Sequence, residues 1–184
     1  MTALSLHLAT ALYLALPLVI GGILHMAIVR GDVLSALTRP IHHRAFGAHK
    51  TWRGAVVMPP ATVLGVVLAA ALAPALDGWL LVTVPMAVAV PLGLALGLTY
   101  LVAELPNSFL KRRLGIPPGQ TPTHRRAWFV LLDQTDSVLG CALVYAIWLR
   151  PPVLTLLLCV LLGPAIHLGA NATLYALGLR RVPV

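Results

Sequence analysis

The run Asp133-Gln134-Thr135-Asp136-Ser137 sets two carboxylates inside a stretch, Ala127 to Leu149, that carries no other charge. On a helix, Asp133, Asp136, Ser137 and Gly140 fall at i, i+3, i+4 and i+7 and share one face. Placed at the centre of a membrane helix, one aspartate costs about 2.5–3.5 kcal/mol. Two like charges one turn apart need further compensation. Either a divalent metal ion or arginines of a neighbouring loop can supply it. Oxygen ligands suit magnesium, which takes one or two carboxylates plus substrate phosphates. The chemistry this pair could do is therefore handling of a phosphate compound through a metal ion.

Two basic segments could meet such a compound. Glu104-Leu-Pro-Asn107-Ser108-Phe-Leu-Lys111-Arg112-Arg113 follows the third apolar run. Glu104, Ser108 and Lys111 align if the segment is helical, although Pro106 disturbs simple helical geometry. Asn107, Ser108, Lys111, Arg112 and Arg113 offer donors to phosphate oxygens, with forked geometry from the arginines. The same residues could merely grip lipid headgroups. Phe46-Gly-Ala-His49-Lys50-Thr51-Trp52-Arg53-Gly54 precedes the second apolar run. Trp52 and Arg53 suit an interface anchor, and Lys50, Thr51 and Arg53 suit phosphate binding equally well. His167 and Asn171, at i and i+4 in the last apolar run, either face the bundle interior or hydrogen-bond between helices.

These residues need a membrane scaffold to position them. Of 184 residues, 59% are hydrophobic and only 10% charged, against roughly a quarter charged in an ordinary soluble domain. A spanning helix takes about 20 apolar residues. Five stretches qualify: Met1 to Val29, Gly54 to Leu76, Gly78 to Ala103, Ala127 to Leu149 and Pro151 to Leu179. The expected fold is an all-α polytopic membrane bundle of about five helices, one domain over 1–184, with long loops at 30–53 and 104–126. Twelve of the thirteen lysines and arginines lie in those loops or in the C-terminal tail; only Arg150 lies opposite. The positive-inside rule then puts the loops and the C-terminus in the cytosol and the N-terminus outside. The first charged residue is Arg30, so no cleaved secretion signal is expected. Cys141 and Cys159 sit in apolar runs without metal-ligand spacing and are expected to pack. The net charge of +8 comes from segments between apolar runs. That pattern fits anionic lipid and phosphate rather than nucleic acid.

Four segments together carry a resemblance. Ser108-x-x-Lys111-Arg112 with Pro118-Gly119, then Leu132-Asp133-Gln134-x-Asp136-Ser137, resembles the CTP-dependent lipid-phosphate cytidylyltransferases. The small five-span branch, the CDP-archaeol synthases, is most similar. It shares the Phe-Gly-x-x-Lys-Thr-Trp-Arg-Gly run found here at Phe46 to Gly54, and the His167, Asn171, Tyr175 and Leu177-Gly178-Leu179 pattern. The resemblance implies a multi-pass cell-membrane enzyme whose active site faces the cytosol. It would transfer CMP from CTP to an archaetidic-acid-like lipid phosphate or phosphatidic acid, with Mg2+ as cofactor and pyrophosphate released. Carried over, Asp133 and Asp136 bind the metal, joined by Glu104, and Asp133, Asp136 and Lys111 form the catalytic set. Lys50, Thr51, Arg53, Asn107, Ser108, Arg112, Arg113, His167 and Asn171 are implied substrate contacts. A small transporter or channel for an anionic solute is the alternative, but transporters place charge at the midplane between repeats, and no repeat is visible here.

Overall fold

Apolar runs of this length satisfy their backbone only as helices when water is absent, and helices are what form. The computed structural model describes residues 2–118, 120, 126–176 and 178. α1 spans Ala3–Arg30, α2 is the single turn His43–Phe46, α3 spans Trp52–Leu72, α4 Ala89–Arg113, α5 Arg126–Trp148 and α6 Val153–Ala176. Short 3-10 turns occupy Ser35–Leu37, Ala73–Leu76 and Met86–Val88. The sole β feature among the described residues is an antiparallel bridge between Pro40 and Thr51, which closes the 31–51 connection.

Four segments are long and apolar enough to cross a membrane: Ala3–Arg30, Trp52–Leu76, Met86–Arg113 and Ala127–Trp148. α6 adds the shorter apolar stretch Val153–Ile166. The five long helices pack in a closed ring, in the order α1, α3, α4, α5, α6 and back to α1. His7 Nδ1 and Thr155 Oγ1, 2.8 Å apart, link α1 to α6 and help close it.

The ring is filled differently in its two halves. Away from the basic segments, the interior holds Tyr13, Leu14, Val66, Ala69, Leu92, Leu96, Cys141 and Tyr145. Near the basic segments it holds the charged and amide side chains described below. Close helix approach makes this possible. A Cβ at Gly97 would stand 2.5 Å from Pro59 Cα, and one at Gly65 would stand 2.6 Å from the Pro17 carbonyl oxygen. Glycine on one helix thus packs onto the proline-bearing backbone of the next, the small-residue packing typical of membrane bundles.

The third span starts later and ends later than the hydrophobic run suggests. Helix α4 begins at Ala89 rather than near Gly78, and residues 80–85 are irregular. Pro85 biases the residue before it away from helix, and Val82, Thr83 and Val84 are β-branched. Pro91 falls in the first turn of α4, where its missing N–H costs nothing. The irregular backbone is satisfied by α1: Thr10 Oγ1 accepts from Leu81 N at 2.9 Å and Tyr13 Oη accepts from Val84 N at 3.1 Å. At its other end α4 continues through Pro106 to Arg113, so Glu104–Arg113 is helix and not loop. A single proline costs one intrahelical bond, and packing against α3 and α5 holds the helix together.

Candidate active site

Because α4 stays helical past Glu104, Asn107 and Lys111 stand one turn apart and face α5. The Asn107 amide nitrogen donates to Asp133 Oδ1 at 2.7 Å and to Asp136 Oδ2 at 3.0 Å. Lys111 Nζ forms an ion pair with the Asp133 carboxylate. Lys111 is itself buried, at 8% exposure. Asp136 Oδ1 accepts from the Ser137 backbone N–H at 2.6 Å. The two carboxylates are thus held by one amide and one ammonium from the neighbouring helix. Asn107 Oδ1, on the far side of that amide, is buried and has no hydrogen-bond partner.

The spacing of α4 and α5 sets this contact. A Cβ on Gly140 would approach Ala103 Cβ to 2.8 Å and Thr99 Cγ2 to 2.9 Å. The absence of a side chain at Gly140, two turns from Asp133 on the same face, lets the helices come close enough for an asparagine to span them.

A second polar group gathers around Glu104, on the same face of α4 one turn before Asn107. Lys50, just before α3, pairs with Glu104, and the two side chains are 22% and 21% exposed. Arg53 Nη1 meets Asp32 Oδ1 at 3.2 Å, while Arg53 Nε is buried without a partner. His25 of α1 leans on this group. Its Nε2 lies 3.6 Å from where a Cβ on Gly54 would stand, and Glu104, Arg53 and Lys50 are the charges that act on it. Among the described residues no three His, Cys, Asp or Glu side chains gather in a group suited to a metal ion. Glu104 is held by Lys50 rather than by the aspartate pair.

The remaining sequence candidates divide. Arg112 tucks beneath the turn at Gly47. There the positive φ of 87° and the missing Cβ leave room for its guanidinium, and Pro118 packs on the same spot. Its Nε and Nη1 are buried and unpartnered, so it keeps donors for an anion. Arg113 points away, exposed, over the Phe109 ring at 5.1 Å. Thr51 caps α3, its Oγ1 accepting from Gly54 N at 3.4 Å. Ser108 is half-buried beside Asn107 and outside the carboxylate network. His167 and Asn171 lie on α6, but their side chains fall outside the described residues, as do Arg180 and Arg181. His25 is the participant that sequence reasoning missed. Its signal was a titratable side chain in the last turns of an otherwise apolar helix.

Comparison with known proteins shows the family. A family model described as CarS-like, CDP-archaeol synthase, matches residues 3–184. The CDP-archaeol synthase of Halobacterium salinarum is 36% identical over 148 residues, 76% of this chain and 76% of that protein. That of Halorubrum lacusprofundi is 36% identical over 151 residues, 76% of this chain and 77% of that protein. A shorter match, 36% over 94 residues, links 50% of this chain to 40% of the Thermofilum pendens CDP-archaeol synthase. No solved structure matches significantly. With the family model matching all but the first two residues, the chain belongs to the CDP-archaeol synthase family.

Proposed function

We propose that this protein transfers the cytidylyl group of CTP to a lipid phosphate of the archaetidic-acid type, giving a CDP-lipid and pyrophosphate, with the reacting groups at the cytosolic membrane face. The observation that carries the reading is the part-buried contact of Asn107 and Lys111 with Asp133 and Asp136 across α4 and α5. Membership of the CDP-archaeol synthase family supports it.

The donor set fits magnesium. Two carboxylates one turn apart, Asp133 and Asp136, match an ion that takes few protein oxygens and completes its shell with phosphates and water. Bound there, magnesium would withdraw charge from the phosphates of CTP. Asp133 and Asp136 would hold it.

The side chains of the chain do the rest. An oxygen of the lipid phosphate, already an anion, attacks the α-phosphorus of CTP. A new P–O bond forms as the bond from the α-phosphorus to the bridging oxygen of the β-phosphate breaks, and that electron pair leaves on pyrophosphate. No strong base is required. Lys111 and the free donors of Arg112 offset charge on the leaving group, so positioning and electrostatics supply most of the acceleration.

Radiolabelled CTP incubated with purified protein, magnesium and an archaetidic-type lipid phosphate is expected to label the lipid. Asp133→Ala and Asp136→Ala are each expected to reduce labelling by at least about a hundredfold, the loss typical of removing charge-stabilising groups from a reaction centre, while the protein still enters the membrane. Full activity in both variants would sink the proposal. Running phosphatidic acid in parallel tells ether-isoprenoid from acyl-ester preference.

A further inference from the structure

The two polar groups that adjoin along one face of α4 differ in kind. The first is built on carboxylates from α5, which repel a bare phosphate and accept one only through a cation. The second gathers three basic side chains, His25 from α1, Lys50 before α3 and Arg53 within α3, around Glu104 and the largely exposed Asp32. Its two cations, Lys50 and Arg53, are each paired with a carboxylate, Glu104 and Asp32, and an arriving anion can take the place of either acid. Arg53 keeps a buried Nε without an acceptor, and the His25 ring rests against Gly54, where any large side chain would displace it. Glu104 and Asn107 are three residues apart on one helix, about 4.5 Å in rise, so the two groups are neighbours. A phosphoryl transfer between two anions asks for such a pair of adjacent but separately neutralised sites.

The second group adjoins an apolar outer surface. Ile23, Trp52 and Val56, on the same helices as His25 and Arg53, are exposed at 43%, 51% and 49%, and their side chains are apolar. A phosphate lodged there sits beside a surface made for hydrocarbon. We propose that His25, with Lys50 and Arg53, binds the phosphate monoester of the lipid acceptor, and that His25 determines the affinity for that lipid and not for CTP. Binding exchanges the Lys50–Glu104 and Arg53–Asp32 pairs for contacts to the phosphate and leaves one phosphate oxygen free towards the carboxylate group. This assignment rests on the cytidylyltransferase reading, and its test separates the two.

Diethylpyrocarbonate footprinting of the full-length protein in detergent, read by mass spectrometry, reports His25 directly, with His7 at the opposite end as internal reference. An archaetidic-type lipid phosphate is expected to slow modification of His25 about fivefold or more, as occupancy of most sites by a bound ligand requires. The same lipid lacking its phosphate, inorganic phosphate at equal concentration, and CTP are expected to leave it unchanged. In steady-state assays His25→Asn and His25→Phe are expected to raise KM for the lipid phosphate about tenfold, the worth of one good hydrogen bond to a charged group, with KM for CTP within about twofold. Protection by CTP instead of lipid, equal protection by inorganic phosphate, or an unchanged lipid KM in both variants overturns the assignment. The footprint is read without turnover. A wild-type protein that labels no lipid therefore defeats the cytidylyltransferase reading while the footprint still decides whether His25 meets a lipid phosphate.

Discussion

Asn107 donates to two carboxylates at once and leaves its own oxygen buried and unpaired. Removing the amide strips both aspartates of a shared donor and leaves only Lys111 to offset their charge. Asn107→Ala is therefore expected to lower cytidylyl transfer at least about tenfold, since hydrogen bonds to charged groups contribute about 1.5–3 kcal/mol. It should also raise the magnesium concentration needed for half-maximal rate, measured by titrating the metal at saturating CTP. An unchanged magnesium requirement would mean that the amide only braces the helices. Arg113 makes a useful contrast. Its side chain is exposed and stacked on Phe109, so Arg113→Ala is expected to alter the rate less than about threefold, while Arg112→Ala, which removes two buried donors, raises KM for CTP. At this scale sequence named Asn107, Lys111, Asp133 and Asp136 together. It did not distinguish Arg112 from Arg113, because adjacent residues on a helix point about 100° apart and only packing says which direction is inward.

Between elements, the site depends on how closely α4 can lie against α5. Gly140 has no side chain where a Cβ would meet Ala103 and Thr99 at under 3 Å. Gly140→Val is expected to push the helices apart, cost about 1–3 kcal/mol as overpacking does, and break the Asn107 bridge. The readout is a lowered thermal midpoint together with a loss of activity greater than the loss of folded protein. Gly97→Val, at the α3–α4 contact with Pro59, acts away from the carboxylates. It should lower stability by a similar amount while surviving folded protein retains its KM for CTP. The late start of α4 has its own check. Tyr13 Oη donates to the Ala69 carbonyl at 3.0 Å and accepts from Val84 N at 3.1 Å, so Tyr13→Phe leaves a buried N–H without a partner. A loss of about 1–3 kcal/mol in chemical denaturation is expected. Hydrophobicity alone could not place this boundary, since residues 78–88 are as apolar as a helix. Their backbone is satisfied by side chains some seventy residues earlier in the chain.

Across the whole molecule, polar chemistry and basic residues share one end of the ring and the apolar interior fills the other. All four tryptophans are exposed, Trp52 and Trp128 near the basic end and Trp79 and Trp148 near the opposite end. Indoles at both ends of the spans form the belts expected at two membrane–water interfaces. If the basic end faces the cytosol, as the positive-inside rule requires, a cysteine placed at Arg44 should react with an impermeant maleimide only in inverted vesicles, and one at Asp77 only in intact cells. The reverse pattern would put the reacting groups on the outer face, away from CTP.

Sequence by itself determined the membrane class, the helix count, the family and the polar residues proposed to react. Those follow from composition, the length of apolar runs and the types and spacing of a few polar side chains, all local properties of the chain. Tertiary structure alone decided which polar residues are partners. The resemblance joins Glu104 to the aspartates as a metal ligand, yet it pairs with Lys50. His25 joins Lys50 and Arg53 although it lies more than twenty residues away in sequence. The aspartates are held by Asn107 rather than Ser108. Periodicity fixes the face of one helix, but the rotation and approach of its neighbours set what that face meets. In this bundle, glycine contacts spread over several helices fix both.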